Sequence, residues 1–128
     1  AAGASFLVRP IALPADHVPR AALDRVRAAG IPGEVMNCIC FGGWLIGEGV
    51  KTWADGRIEL FGADRVNLYR DGTDLHAVAR FDDLFADPRI GWTLLPPATP
   101  AVGLLDRTPG WKRFYADDVA VVHVRVPR

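Results

Sequence analysis

The sequence predicts a single α/β domain, arranged as a three-layer α/β/α sandwich whose small sheet is mostly parallel and ends in an antiparallel hairpin. Apolar runs typical of buried strands alternate along the chain with segments of helical period. Glycine and proline separate these segments. Near the C-terminus, two strand-like runs flank Asp117-Asp118, and this pattern predicts the hairpin.

Length and composition allow one domain with a sizeable core. The chain has 128 residues, of which 50% are hydrophobic, so disorder is disfavoured. Its 15 basic and 15 acidic residues give a formal net charge of zero, which argues against a nucleic-acid partner because such proteins carry a clustered basic excess. No apolar run approaches the roughly 20 residues that span a bilayer.

Proline and glycine residues mark the limits of the first predicted elements. Residues 1–18 contain Pro10 and Pro14 without a period, so we expect a linker, or a remnant that follows a membrane helix, before a domain over 19–128. Pro19 to Ala29 is predicted as a helix with one apolar stripe, ended by Gly30.

An apolar stretch, Glu34 to Phe41, is predicted as a strand covered on both faces. The pair Gly42-Gly43 is expected to end it in a tight turn, with a short helix or turn from Trp44 to Gly49. A second strand is expected from Val50 to Ala54, immediately before Asp55.

The remaining elements are each ended by a proline or a turn pair. They are a helix over Leu75 to Phe85, a strand over Gly91 to Leu95, a helix over Pro100 to Leu105 with Thr99 as its N-cap, and hairpin strands over Trp111 to Ala116 and Val119 to Val126.

Cys38 and Cys40 are the only cysteines. Two residues apart in a predicted strand, they would share one face, and we interpret them as two small buried hydrophobic side chains. No cysteine or histidine spacing completes a metal set, so no metal site is predicted.

Several enzyme classes are disfavoured by what the sequence lacks. Ser5, in the predicted linker, is the only serine, which argues against a serine hydrolase. The chain contains neither the P-loop motif nor the dinucleotide-binding glycine motif. No cofactor is predicted.

Polar residues gather at the predicted carboxyl ends of strands, where open α/β sheets bind ligands. Asp55 and Arg57 could hydrogen-bond sugar hydroxyls or grip a phosphate, or form an ordinary turn with a local ion pair. Asn37 could serve a ligand or cross-link the loop after its strand. Trp44 could stack on a sugar or pack in the core.

A longer set of spaced motifs resembles a known family. It consists of Asn37-x-x-x-Phe41-Gly42-Gly43-Trp44-Leu45-Ile46, Asp55-Gly56-Arg57, Leu60-Phe61-Gly62 and Leu94-Leu95-Pro96-Pro97. Over residues 19–126 the chain resembles the C-terminal extracytoplasmic domains of bacterial polytopic membrane proteins similar in layout to C-type glycosyltransferases, and distantly the oligosaccharyltransferase catalytic subunit. Cys38 and Cys40 stand where related sequences tend to be acidic, so acceptor-peptide recognition is not carried over.

The resemblance implies a non-catalytic domain on the extracytoplasmic side of a membrane-anchored parent protein. Its partner would be the membrane-embedded part of the parent chain, and its role would be to cover the embedded site or help position a lipid-linked sugar or glycan. The expected ligand-binding residues are Asn37, Gly42, Gly43, Trp44, Asp55 and Arg57, with no catalytic residue among them. Two alternatives remain open: a free-standing hydrolase-like enzyme using the Asp55/Arg57 edge, and a protein-interaction module.

Overall fold

The computed structural model describes residues 17–53, 67, 70, 73 and 78–126 of the chain. Within them the helices are α1 (Arg20–Ala29), α2 (Ile39–Gly47), α3 (Val78–Phe85) and α4 (Pro100–Leu105), and the strands are β1 (Glu34–Asn37), β2 (Ile90–Leu94), β3 (Trp111–Ala116) and β4 (Val121–Arg125). In that part of the chain, no helix combines the length and apolar character needed to cross a membrane.

The four strands form one mixed sheet in the order β1-β2-β4-β3. The α/β class and the C-terminal hairpin are confirmed, since β3 pairs antiparallel with β4. A mostly parallel sheet is wrong: β1 and β2 are parallel, but β2 and β4 are antiparallel. The hairpin makes β3 and β4 antiparallel, and because β4 rather than β3 lies beside β2, the pair β2–β4 is antiparallel as well. The three-layer arrangement stays a prediction.

Alternate residues of β1 belong to two separate clusters of the hydrophobic core. Met36 packs in one cluster with the buried side chains of α3 and α4, whereas its neighbour Val35 packs in the other with those of α1 and α2. Successive side chains of a strand point to opposite faces. Both faces of β1 are therefore covered by apolar side chains.

The predicted strand from Glu34 to Phe41 is half as long as expected. It ends at Asn37, Cys38 has extended backbone angles, and α2 begins at Ile39. A continuous apolar run does not distinguish a buried strand from a buried helix. Helical spacing prevails here because it buries both Phe41 and Leu45 in one cluster.

The strand expected from Val50 to Ala54 is reduced to an isolated bridge. Thr52 pairs in parallel with Val35, which extends the sheet beyond β1 by a single residue. Ala54 lies outside the described residues, as do residues 1–16 of the expected linker.

The entry to β1 depends on two glycines in direct backbone contact. Gly33 has φ +94°, and a Cβ on Gly91 would stand 2.0 Å from the Pro32 carbonyl oxygen and 2.8 Å from the Gly33 Cα. The obstructing atoms belong to the backbone, so a Cβ at Gly91 could be accommodated only if β1 and β2 moved apart at this end. Such a movement would break hydrogen bonds between the two strands.

We therefore expect Gly91→Ala to lower the free energy of unfolding by about 2 to 3 kcal/mol, measured by urea denaturation. The matched control is Gly43→Ala in α2, where no atom lies within 4 Å of the added Cβ. That change should raise stability by about 0.5 to 1 kcal/mol because alanine favours the helix. Equal effects of the two substitutions would contradict this account of the Gly33–Gly91 contact.

Candidate functional site

The candidate site lies at the carboxyl end of β1, where the chain passes into α2. The Cys38 N–H donates to the Leu94 carbonyl oxygen at 3.1 Å, so the ends of the parallel strands β1 and β2 are joined here. In open α/β sheets this edge is the usual place for ligands.

Asn37 is completely buried at this edge, with 0% of its surface exposed. Its Oδ1 accepts from the Trp53 N–H at 3.1 Å, and its Nδ2 donates to the Cys38 carbonyl oxygen at 2.7 Å. The side chain cross-links the end of β1 to the segment at Trp53, which is itself a core residue. Of the two interpretations of Asn37, these contacts fit the cross-link.

Gly42 and Gly43 do not form the expected turn, because both lie within α2. Interior N–H groups of a helix donate to carbonyls four residues earlier, so the N–H groups of these two glycines are engaged within α2. Gly42 is buried and Gly43 is exposed.

Trp44 belongs to a charged cluster that joins α1 to α2. The Arg20 guanidinium carbon lies 5.1 Å from the Trp44 ring centroid, and the same guanidinium donates to both Glu48 carboxylate oxygens, at 2.6 and 3.1 Å. Arg27 lies 3.5 Å from Glu48. The hydrogen bond from Arg20 lowers the pKa of Glu48. Two guanidinium groups thus share one carboxylate, and we call these four residues the Trp44 cluster.

Cys38 and Cys40 form a disulfide with their Cα atoms 5.1 Å apart. Their interpretation as buried hydrophobic residues of a strand is wrong. Cys38 is the N-cap of α2 and half-buried, Cys40 lies exposed in the first turn, and this turn brings the sulfurs together. The Cys40 N–H also donates to the Cys38 Sγ at 3.0 Å.

A disulfide between residues two apart does little to constrain the unfolded chain. The chain-entropy relation gives about 1.6 kcal/mol for a loop of three residues, against about 3 kcal/mol for one of 15. The start of α2 is also held by a hydrogen bond from the Phe41 N–H to the Cys38 carbonyl oxygen at 3.1 Å. A gain in the free energy of unfolding is therefore a poor explanation for the presence of this disulfide.

A second polar cluster, which the sequence analysis missed, joins α4 to the hairpin. His123 is 0% exposed, and its Nε2 lies 2.7 Å from Asp106 Oδ1. Arg113 donates to both Asp106 oxygens, at 2.9 and 2.7 Å. The valine–histidine alternation of β4 was the one available signal, because it predicts a covered histidine that needs a polar partner.

The charges of this cluster perturb its titration. Hydrogen bonds from Arg113 and then His123 hold the pKa of Asp106 well below its usual range. Burial lowers the pKa of His123, and the opposing hydrogen bond to Asp106 does not compensate. The buried Nδ1 of His123 has no hydrogen-bond partner in the described part of the chain, so a proton there would be unsatisfied.

Two expected ligand residues, Asp55 and Arg57, lie outside the described residues, as does the hydrolase-like alternative that depends on them. Within the described ranges, no group of three or more histidine, cysteine, aspartate or glutamate side chains is arranged to hold a metal ion.

Comparisons of this chain with protein-family models, curated proteins and solved structures found no match.

We expect Asn37→Ala to lower the free energy of unfolding by about 1 to 3 kcal/mol, since it removes the buried amide that accepts from the Trp53 N–H and donates to the Cys38 carbonyl oxygen. The control is Asn67→Ala at an exposed position, where the amide accepts from Arg70, and it should cost under about 0.5 kcal/mol. Unfolding in urea measures both. If Asn37→Ala were as stable as the wild type, the cross-link would not be structural.

Stability should also fall as the pH drops through the ordinary histidine value near 6.5. The unfolded chain takes up a proton on His123 that the folded chain resists, so the unfolded state binds more protons in that window. Urea unfolding from about pH 7.5 to about pH 5.5 measures the fall. His123→Gln should flatten the profile. If the free energy of unfolding fell with pH equally in His123→Gln and in the wild type, His123 would not be the cause of the fall.

Proposed function

We propose that the chain is a non-catalytic extracytoplasmic domain of a larger, glycosyltransferase-like membrane protein. The single observation that supports this location is the Cys38–Cys40 disulfide. Disulfides persist in oxidising environments such as the periplasm and the cell surface, and are rare in the cytosol. In this proposal the partner of the domain is the membrane-embedded part of its parent chain.

The proposed role is to help position a lipid-linked sugar near the membrane-embedded site. The Trp44 cluster has suitable chemistry, because an indole ring offers a flat apolar surface to a sugar face. Arg20 and Arg27, with only Glu48 between them, supply guanidinium donors and one unit of excess positive charge. Guanidinium groups recognise phosphate through paired hydrogen bonds. A sugar joined to phosphate matches both properties.

Titration with glucose 1-phosphate tests this role, with tryptophan fluorescence as the readout. We expect a saturable change at millimolar ligand, and a change of sign or loss of signal in Trp44→Phe. Arg20→Gln should weaken binding about tenfold by removing a charge-assisted hydrogen bond. The matched control is Arg107→Gln, an exposed arginine after α4, which should bind as the wild type does.

Free glucose serves as the second probe. It should bind more weakly than glucose 1-phosphate if the arginines take the phosphate. No fluorescence change with either probe at millimolar concentration would refute ligand positioning by the Trp44 cluster.

The proposed parent is tested separately by the native reading frame. Several apolar segments of membrane-spanning length encoded upstream of Ala1 would support it. A start codon within a few residues of Ala1 would refute it.

A further inference from the structure

We propose that the Cys38–Cys40 disulfide is a redox-active centre that exchanges with cysteine pairs of other proteins. This activity is separate from glycosyl transfer, in which the domain has no catalytic part in the proposal above, and it does not depend on the positioning role. It begins from the observation that the bond closes a loop of three residues at the start of α2, where a structural staple would constrain little.

The two sulfurs differ in access, and this difference sets the direction of attack. Cys40 is exposed, whereas Cys38 is half-buried and packs against both core clusters. One turn beyond Cys40, a Cβ on Gly43 would meet no atom within 4 Å, and the same holds at Gly47. An incoming thiolate therefore reaches the Cys40 sulfur along an open face of α2.

The sulfur released by that attack is the one the fold stabilises. Cys38 Sγ already accepts the Cys40 N–H at 3.0 Å, and it stands at the N-terminus of a helix of nine residues. Free N–H groups and the helix dipole favour negative charge at this end, and helix N-termini promote the thiolate form of cysteine. Cys38 is thus the leaving group.

The reaction balances as a two-electron exchange. A thiolate of the partner attacks Cys40 Sγ, the Cys38–Cys40 bond breaks, and the bonding pair leaves on Cys38. The second thiol of the partner, once deprotonated, attacks its own mixed-disulfide sulfur and releases Cys40 as a thiolate. The partner is oxidised to a disulfide, and this chain is reduced to two thiols that take up the two protons released. The reverse sequence reduces a partner's disulfide.

The surface beside Cys40 fits a polypeptide better than a small charged thiol. Residues Ile39 to Gly47 include no aspartate, glutamate, lysine or arginine, and Ile46 is 45% exposed. Without side chains at Gly43 and Gly47, a partner's backbone can approach closely.

The first test compares the same cysteine pair with and without the fold. The rate of reduction by dithiothreitol is measured by alkylation and mass spectrometry, in buffer and in denaturing urea. We expect reduction at least about tenfold faster in the folded chain, since only the fold supplies the helix N-terminus and the hydrogen bond. A folded rate equal to or below the unfolded rate would overturn the proposal. This comparison needs no variant.

The second test uses a peptide with a Cys-x-x-Cys pair. The wild-type chain should convert the reduced peptide to a form lighter by two hydrogens, and reduced glutathione should react about tenfold more slowly. Absence of peptide oxidation would overturn the proposal, and equal rates would overturn the polypeptide as preferred partner.

Two single-cysteine variants then separate the roles of the sulfurs. Both lose the disulfide, so each controls for the other. With the oxidised peptide at about pH 9.5, where an ordinary cysteine thiol is also ionised and access decides the rate, Cys38→Ser should accumulate a mixed disulfide on the exposed Cys40 about tenfold faster than Cys40→Ser does on the half-buried Cys38. Equal or reversed capture would refute the assigned order of attack.

Discussion

The buried amide of Asn37 is the contact on which the candidate site depends. It sits where β1 stops and holds the Trp53 N–H and the Cys38 carbonyl oxygen together. With that carbonyl fixed, Cys38 takes extended angles and α2 can begin at the next residue. Because the amide is fully buried, each of these hydrogen bonds is made away from water, where its loss costs more than at the surface. Asn37 thus helps to fix the residue from which the disulfide begins.

Elements with local stop signals were predictable from the sequence. Pro19 and Gly30 bound α1, and α4 runs from Pro100 to Leu105 as expected, because these residues act through their own backbone. The switch from strand to helix at Cys38 was not predictable, since an apolar run suits either structure. The disulfide was missed for the same reason: cysteines two apart in a strand do not meet, whereas an N-cap and a first turn bring them together.

Contacts between distant residues were beyond sequence reasoning altogether. His123, Asp106 and Arg113 come together only through the packing of α4 on the hairpin. Arg125 likewise donates to the carbonyls of Phe85 and Ile90, at 2.9 Å each, and so ties the end of α3 to β2. Long-range pairs of this kind have no fixed spacing in a sequence. The Trp44 cluster was anticipated only in its tryptophan, because its arginines lie on another helix.

The helix that carries the disulfide is intrinsically weak, and this bears on its redox behaviour. Gly42 and Gly43 lie in the interior of α2, where each glycine costs about 1 kcal/mol relative to alanine. The helix is stabilised by the burial of Phe41 and Leu45 and by its N-cap.

Reduction of the disulfide would strengthen this N-cap. A thiolate on Cys38 would accept the Cys40 N–H more strongly than a disulfide sulfur does, and α2 would be stabilised as a result. If reduction increases the free energy of unfolding, then by linkage folding shifts the disulfide–dithiol equilibrium towards the reduced form by the same amount. A reduced form stabilised in this way makes the disulfide an oxidant towards partner thiols, and an oxidising compartment would keep it in the form that can act.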